Sequence, residues 1–145
     1  MVRRILHPSD FSSASRPAFA RAVALAKENR AQLIVAHVLS PVMPLTDGYM
    51  SSQAYAEMVA ATKRAGQKRL DALVAKARRA GVRARSVLLE GIAADRIVRA
   101  ARAQGSDMIV MGTHGRSGFA RLFLGSVASR VVGQATCPVM TVRGK

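Results

Sequence analysis

The sequence predicts an α/β fold: a single doubly wound, Rossmann-like domain over residues 1–145, with a five-stranded parallel sheet and four helices. Three observations predict it. Short apolar runs alternate along the chain with longer segments of helical periodicity, the pattern of βαβ units joined by right-handed crossovers. The runs are apolar nearly throughout rather than alternating, as expected of strands covered on both faces. Finally, 145 residues, half of them hydrophobic, suffice for one core and argue against disorder.

Val2–Ser9 is the first strand, β1. Ser12, Ser13 or Ser15 can cap the next helix, and Pro17 restricts its start to that neighbourhood. In this helix, α1, Phe19, Ala22, Val23 and Ala26 fall on one face. Gln32–Val38 is β2. Residues 39–53 carry two Pro, a Gly and several Ser and read as the one long loop. A long helix, α2, spans Gln53–Ala80 with Leu70, Leu73, Val74 and Ala77 inward. Gly66 inside it costs about 1 kcal/mol relative to Ala, and Gly81 caps its end. Val82–Glu90 is β3. Ile92–Gln104 is α3, with Ala94, Ile97, Val98 and Ala101 inward and Gly105 closing it. Asp107–Met111 is β4, Gly125–Gln134 is α4 and Cys137–Val142 is β5.

No apolar run approaches the ~20 residues of a membrane span, and the N-terminus enters a strand without a secretory apolar region, so a cytoplasmic location is expected. The single Cys137 allows no internal disulfide and reads as a buried, inert thiol. Net charge is +15, from 23 Lys and Arg (18 of them Arg) against 8 Asp and Glu. Such a field attracts polyanions. The cations are spread over several elements, and with six aromatics there is little to stack bases on, so a solvated basic surface is favoured over a nucleic-acid module.

The chemistry concentrates after β4. Gly112-Thr113-His114-Gly115-Arg116-Ser117-Gly118 follows the apolar run Met108–Met111, and Gly125-Ser126 opens α4. A glycine loop between strand and helix lets backbone N–H groups approach an anion, and the helix N-terminus adds positive charge. Phosphate suits such a place. Gly112, Gly115 and Gly125 would hold it through the backbone and Ser126 through its hydroxyl, with Val127 beside them; His114 and Arg116 are candidate donors and Arg121 a weaker one. No Walker lysine follows the loop, and no Gly-x-Gly-x-x-Gly follows β1, which argues against a P-loop and against a dinucleotide. His7 and His37 lie within strands and read as packed histidines. No metal-ligand cluster and no nucleophile elbow is visible, and no general base is placed at the phosphates, so at most weak hydrolysis is expected.

The spacing Gly112-x2-Gly115-x9-Gly125-Ser126 resembles the nucleotide-binding motif of the universal stress protein family, in its ATP-binding branch. The opening Arg4–Ser12 is similar to that family's first strand and aspartate turn, and Ala135–Val142 to its last strand, so the resemblance runs from about residue 3 to 143. It implies strand order 3-2-1-4-5, which sets β1 beside β4 where the winding reverses and where doubly wound sheets bind ligands. It implies that Asp10 meets the ribose or adenine side, that Pro8 and Ser9 shape the same wall, that the backbone of Val38 meets the adenine edge, and that Met111 packs against the nucleoside. The implied ligand is ATP, with AMP and ADP as alternatives, and with Mg²⁺ or Mn²⁺ held by the phosphates rather than by protein. The implied function is a regulatory or sensing module in stress response. The alternatives are a slow ATPase or nucleotidyl-transfer enzyme, and a basic nucleic-acid-binding module. The family's habit of dimerising, and the apolar Cys137–Val142 strand at the implied sheet edge, lead to an expected homodimer through β5.

Overall fold

The computed structural model describes residues 1–41, 50–114 and 124–144. Its elements follow the expected order: β1 Arg4–Pro8, α1 Arg16–Asn29, β2 Gln32–Leu39, α2 Ser52–Arg79, β3 Ala84–Glu90, α3 Ala93–Ala103, β4 Met108–Gly112, α4 Ser126–Gln134 and β5 Val139–Val142. The strands form one parallel sheet in the order β3-β2-β1-β4-β5.

Alternate residues of each central strand face opposite layers. Ile5, Leu33, Val35 and Val110 join Phe19, Ala22 and Ala26 of α1 and Leu70, Val74 and Ala77 of α2. Leu6, Ile34, Ala36, Ile109 and Met111 join Ala94, Ile97 and Ala101 of α3 and Ala128 and Val131 of α4. Helices thus cover both faces, which is why the strands read as unbroken apolar runs. Gly66 is buried in α2. A side chain there would start 3.4–3.5 Å from Leu39, Leu88 and His37, so the small residue seats the helix against β2 and β3.

Several ends differ from expectation, each for a local reason. None of Ser12, Ser13 and Ser15 caps α1 through its side chain; a turn of 3₁₀ helix over Ser13–Ser15 leads into it instead. The N–H groups of Arg3 and Arg4 go to the Asp107 carboxylate (2.7 and 2.9 Å), and β1 starts later than Val2. Val82 belongs to the turn that caps α2: its N–H returns to the Ala77 carbonyl and that of Gly81 (φ 86°) to Arg78, so β3 begins only at Ala84. Gly105 (φ 60°) ends α3 in the same way, whereas α1 ends without glycine, on a left-handed Arg30 (φ 54°). Pro138 cannot donate to a ladder, so β5 starts at Val139 and Cys137 sits half-exposed in the turn before it. Partial burial still raises the thiol pKa there, against thiolate formation.

Candidate functional site

The crevice is built from two chain segments at the carboxyl ends of β1 and β4. β1 ends at Pro8, and Ser9 comes next, buried, with its N–H on the Ala36 carbonyl of β2 (2.8 Å). The Ser9 hydroxyl accepts the N–H of Phe11 (3.1 Å), and Asp10 Oδ1 accepts the N–H of Ser12 (2.9 Å). Together these bonds fold a tight side-chain-directed turn. Phe11 pays for it in backbone geometry, with a left-handed φ of 64°. Its ring lies 4.3 Å from that of His37 and under the Arg69 guanidinium at 5.4 Å. His37 Nδ1–H also donates to the Ser9 carbonyl (2.7 Å), tying the turn to β2. The family-implied contact carboxylate, Asp10, is therefore also a structural element of its own turn.

The second segment leaves β4 at Gly112, whose Cα hydrogens face the Ala14 carbonyl and the Ser15 backbone (3.6 and 3.8 Å from an added Cβ). The two segments thus meet. Thr113 is buried and joins three parts of the site. Its N–H donates to Val142 O (3.0 Å), its carbonyl accepts Gly125 N–H (2.7 Å), and its hydroxyl shares a hydrogen bond with His114 Nδ1 (3.0 Å). His114 Nε2 is buried without a hydrogen-bond partner among the described residues. The Thr113–Gly125 bond pinches the chain between β4 and α4, so that α4 starts directly beside the end of β4.

Gly125 is the N-cap of α4 with an ordinary extended backbone (φ −60°, ψ 161°), so no special backbone angle requires glycine. Space does: a Cβ would lie 2.9 Å from the Thr113 carbonyl oxygen. Among the described residues no side chain caps α4, and its first turn holds no acidic residue. The first backbone N–H groups of the helix and its positive dipole end are therefore uncompensated by the described side chains. Ser126 and Val127 open the helix, both exposed.

The fold thus brings Pro8, Ser9, Asp10, Gly112, His114, Gly125, Ser126 and Val127 to one end of the sheet. Met111 and Val38 sit one layer down: Met111 is buried under α3 and α4, and Val38 packs against the same core. Gly115, Arg116 and Arg121 lie outside the described residues. Sequence reasoning passed over Thr113 and His37. Thr113 carried a signal, a polar residue closing an apolar strand between two glycine-loop candidates. His37 carried none, since its partners come from distant parts of the chain. No group of metal-ligating side chains is found among the described residues. A separate hollow of about 310 Å³ between α2 and the ends of β2 and β3, lined by Tyr55, Val59, Thr62, Lys63 and Glu90 among others, contains none of the predicted residues.

Comparison with known proteins places this geometry. The model of the universal stress protein family matches residues 1–143. The universal stress protein MJ0531 of Methanocaldococcus jannaschii is 35% identical over 143 residues, covering 99% of this chain and 83% of that one. YxiE of Bacillus subtilis, also a universal stress protein, is 34% identical, covering 99% and 100%. Among solved structures, MJ0577 superposes with a TM-score of 0.83 at 23% identity, over 100% of this chain and 98% of that one. A universal stress protein in complex with cAMP gives 0.70 at 24% identity, over 99% and 98%, and one from Archaeoglobus fulgidus in complex with dAMP gives 0.67 at 20%, over 99% and 98%. Matched by the family model from residue 1 to 143, and 34–35% identical over 99% of its length to two of its members, the chain belongs to the universal stress protein family.

Proposed function

We propose that this protein binds ATP in the crevice between the Asp10 turn and the Gly112–Ser126 segment, as a cytoplasmic regulatory or sensing module in stress response. The observation that carries the reading is the uncapped start of α4, held against the end of β4 by the Gly125 N–H to Thr113 carbonyl bond. Backbone donors and the dipole end there suit phosphate oxygens. His114 Nε2, without a partner among the described residues, is a further donor beside them. The nucleoside side falls to Pro8, Ser9 and Asp10, with Val38 and Met111 forming the floor, and Gly115 and Arg116 extending the phosphate side. Related structures that hold cAMP and dAMP support an adenine nucleotide. Any Mg²⁺ or Mn²⁺ would be held chiefly by the phosphates.

Mass spectrometry of the denatured, purified protein should show co-purified ATP, and calorimetry should show ATP binding to the emptied protein. Absence of both would overturn the reading. Asp10 allows a finer test. Asp10→Asn keeps an oxygen for the Ser12 N–H, whereas Asp10→Ala loses turn and contact together. Asp10→Ala should cost about 1–3 kcal/mol of ATP affinity, and Asn should recover part of it.

We further propose a homodimer through β5, the edge strand beyond β4. The carbonyls of Pro138 and Val142 point toward β4, where they accept from Ile109 and Thr113. Strand alternation therefore turns the backbone groups of Val139 and Thr141 outward, free to pair with a second copy. Thr141→Pro should leave the β4 ladder intact and yield a monomer in sedimentation, where the wild type is a dimer at micromolar concentration. A wild-type monomer would refute this.

A further inference from the structure

The cations that are scattered along the sequence converge at the end of the sheet opposite the crevice. Arg3 and Arg4 open β1, Arg30 closes α1, Arg79 ends α2, Arg83 leads into β3 and Arg102 ends α3; all six are exposed. Arg78 and Arg85 stand among them. The hydrogen bonds here go to uncharged acceptors. Arg4 Nη1 donates to the Gln104 carbonyl (3.4 Å), Arg78 Nε to that of Ala84 (3.1 Å) and Arg83 Nη2 to that of Arg30 (3.2 Å). Arg85 donates to the side-chain oxygens of Gln32 and Gln104. The guanidinium groups are thus oriented by uncharged partners, and those of Arg3 and Arg4 also feel the Asp107 carboxylate.

Helix C-termini alone would account for some cations at this end, since each offers a partial charge of about −0.5. Four such ends, with Glu28 and Asp107, fall well short of the arginines gathered here. Asp107 is itself committed to the backbone N–H groups of Arg3 and Arg4, whose bonds hold its pKa below the usual carboxylate value. The ion pairs found among the described residues, Lys63–Glu90 and Arg130–Asp95, lie elsewhere.

We infer that this arginine-rich end is a docking surface for the phosphate backbone of duplex nucleic acid, read without regard to sequence. Strand ends about 4.8 Å apart spread the cations over a broad front, and a duplex presents one charge per ~1.7 Å of its axis, so several guanidiniums can meet phosphates at once. Arginine engages phosphate in bidentate fashion. No aromatic platform for single strands stands among these residues. An anionic membrane fits less well. Of the exposed large apolar side chains described, Met1 and, in the last turn of α4, Val132 adjoin this end, while Met50, Tyr55, Ile92, Leu124 and Val127 lie elsewhere. The surface is remote from the crevice, so the inference stands or falls independently of nucleotide binding.

The test is fluorescence anisotropy of the full chain with a short mixed-sequence DNA duplex across a salt series. The logarithm of the binding constant should fall with the logarithm of salt with a slope of about −2.7 to −4.5, as for three to five phosphate contacts. Arg30→Gln with Arg83→Gln should reduce that slope by about two and weaken binding at least about tenfold. Arg3→Gln with Arg79→Gln should do the same without disturbing the Arg83–Arg30 bond, which guards against a folding effect. The charge-matched pair Arg64→Gln with Arg16→Gln, in the middle of α2 and at the start of α1, should bind as the wild type does. Three results would overturn the inference: no salt-dependent duplex binding, equal loss in the charge-matched pair, or capture by phosphatidylserine vesicles with the same arginine dependence in place of duplex.

Discussion

Gly125→Val should weaken ATP binding by about 100-fold, the equivalent of roughly 3 kcal/mol, while far-UV circular dichroism remains native-like. The reason is the 2.9 Å between a Cβ at this position and the Thr113 carbonyl. The same two residues share the hydrogen bond that pinches the loop, at 2.7 Å from Gly125 N to Thr113 O. A side chain must push them apart, and the start of α4 moves away from the end of β4 with them. Gly112→Ala supplies the steric contrast: there an added Cβ meets only ordinary contacts at 3.5 Å or more, so the fold should keep nearly its wild-type stability. Arg79→Ala, outside the crevice, should leave ATP affinity unchanged. Wild-type ATP affinity in Gly125→Val would show that the pinch is only a turn.

Acid should destabilise the protein by about 3 kcal/mol through His7 alone. This side chain is fully buried, its Nδ1–H donates to the Val110 carbonyl at 2.8 Å, and its ring packs 5.6 Å from that of Phe19. Burial lowers its pKa from 6.5 to about 4, against the opposing pull of the Val110 bond and the Asp10 charge. The folded state therefore binds fewer protons than the unfolded chain between those values. Stability on this account is full above pH 6.5 and falls as the pH drops toward 4. Urea unfolding at several pH values should show this slope in the wild type and a shallower one in His7→Leu, which has no ring to protonate. Identical slopes would remove His7 from the acid response. Above pH 6.5 the variant should be the less stable of the two, because the Val110 carbonyl loses its donor, and the gap should close as the pH falls toward 4.

The alternation of strand and helix was legible because the strands are covered on both faces, and the sequence records that as unbroken runs such as Met108–Met111. Gly112 and Gly125 were legible because glycine marks a strand end and a helix start in any context. The turn at Asp10 was legible only in part. Its carboxylate was expected near the ligand, but the left-handed Phe11 and the 3₁₀ turn after it have no glycine to announce them. Serines that were expected to cap α1 are used otherwise: Ser15 Oγ donates to the Ser12 carbonyl at 2.8 Å, inside the extra turn. The arginine-rich end was illegible for a different reason. Arg4, Arg30, Arg83 and Arg102 are far apart in the chain and become neighbours only when the strand order is known.

Phe11 gives the crevice a mechanical connection to α2. A left-handed backbone at a bulky residue stores about 1–2 kcal/mol, so the turn behaves as a loaded spring. Its latch is made of parts from elsewhere, the imidazole of His37 on β2 and the guanidinium of Arg69 on α2. A shift of α2 along the sheet would slacken that latch and relax the chain at Asp10 without anything touching the crevice. The long helix is in this sense a lever whose short arm ends at the Asp10 wall of the crevice.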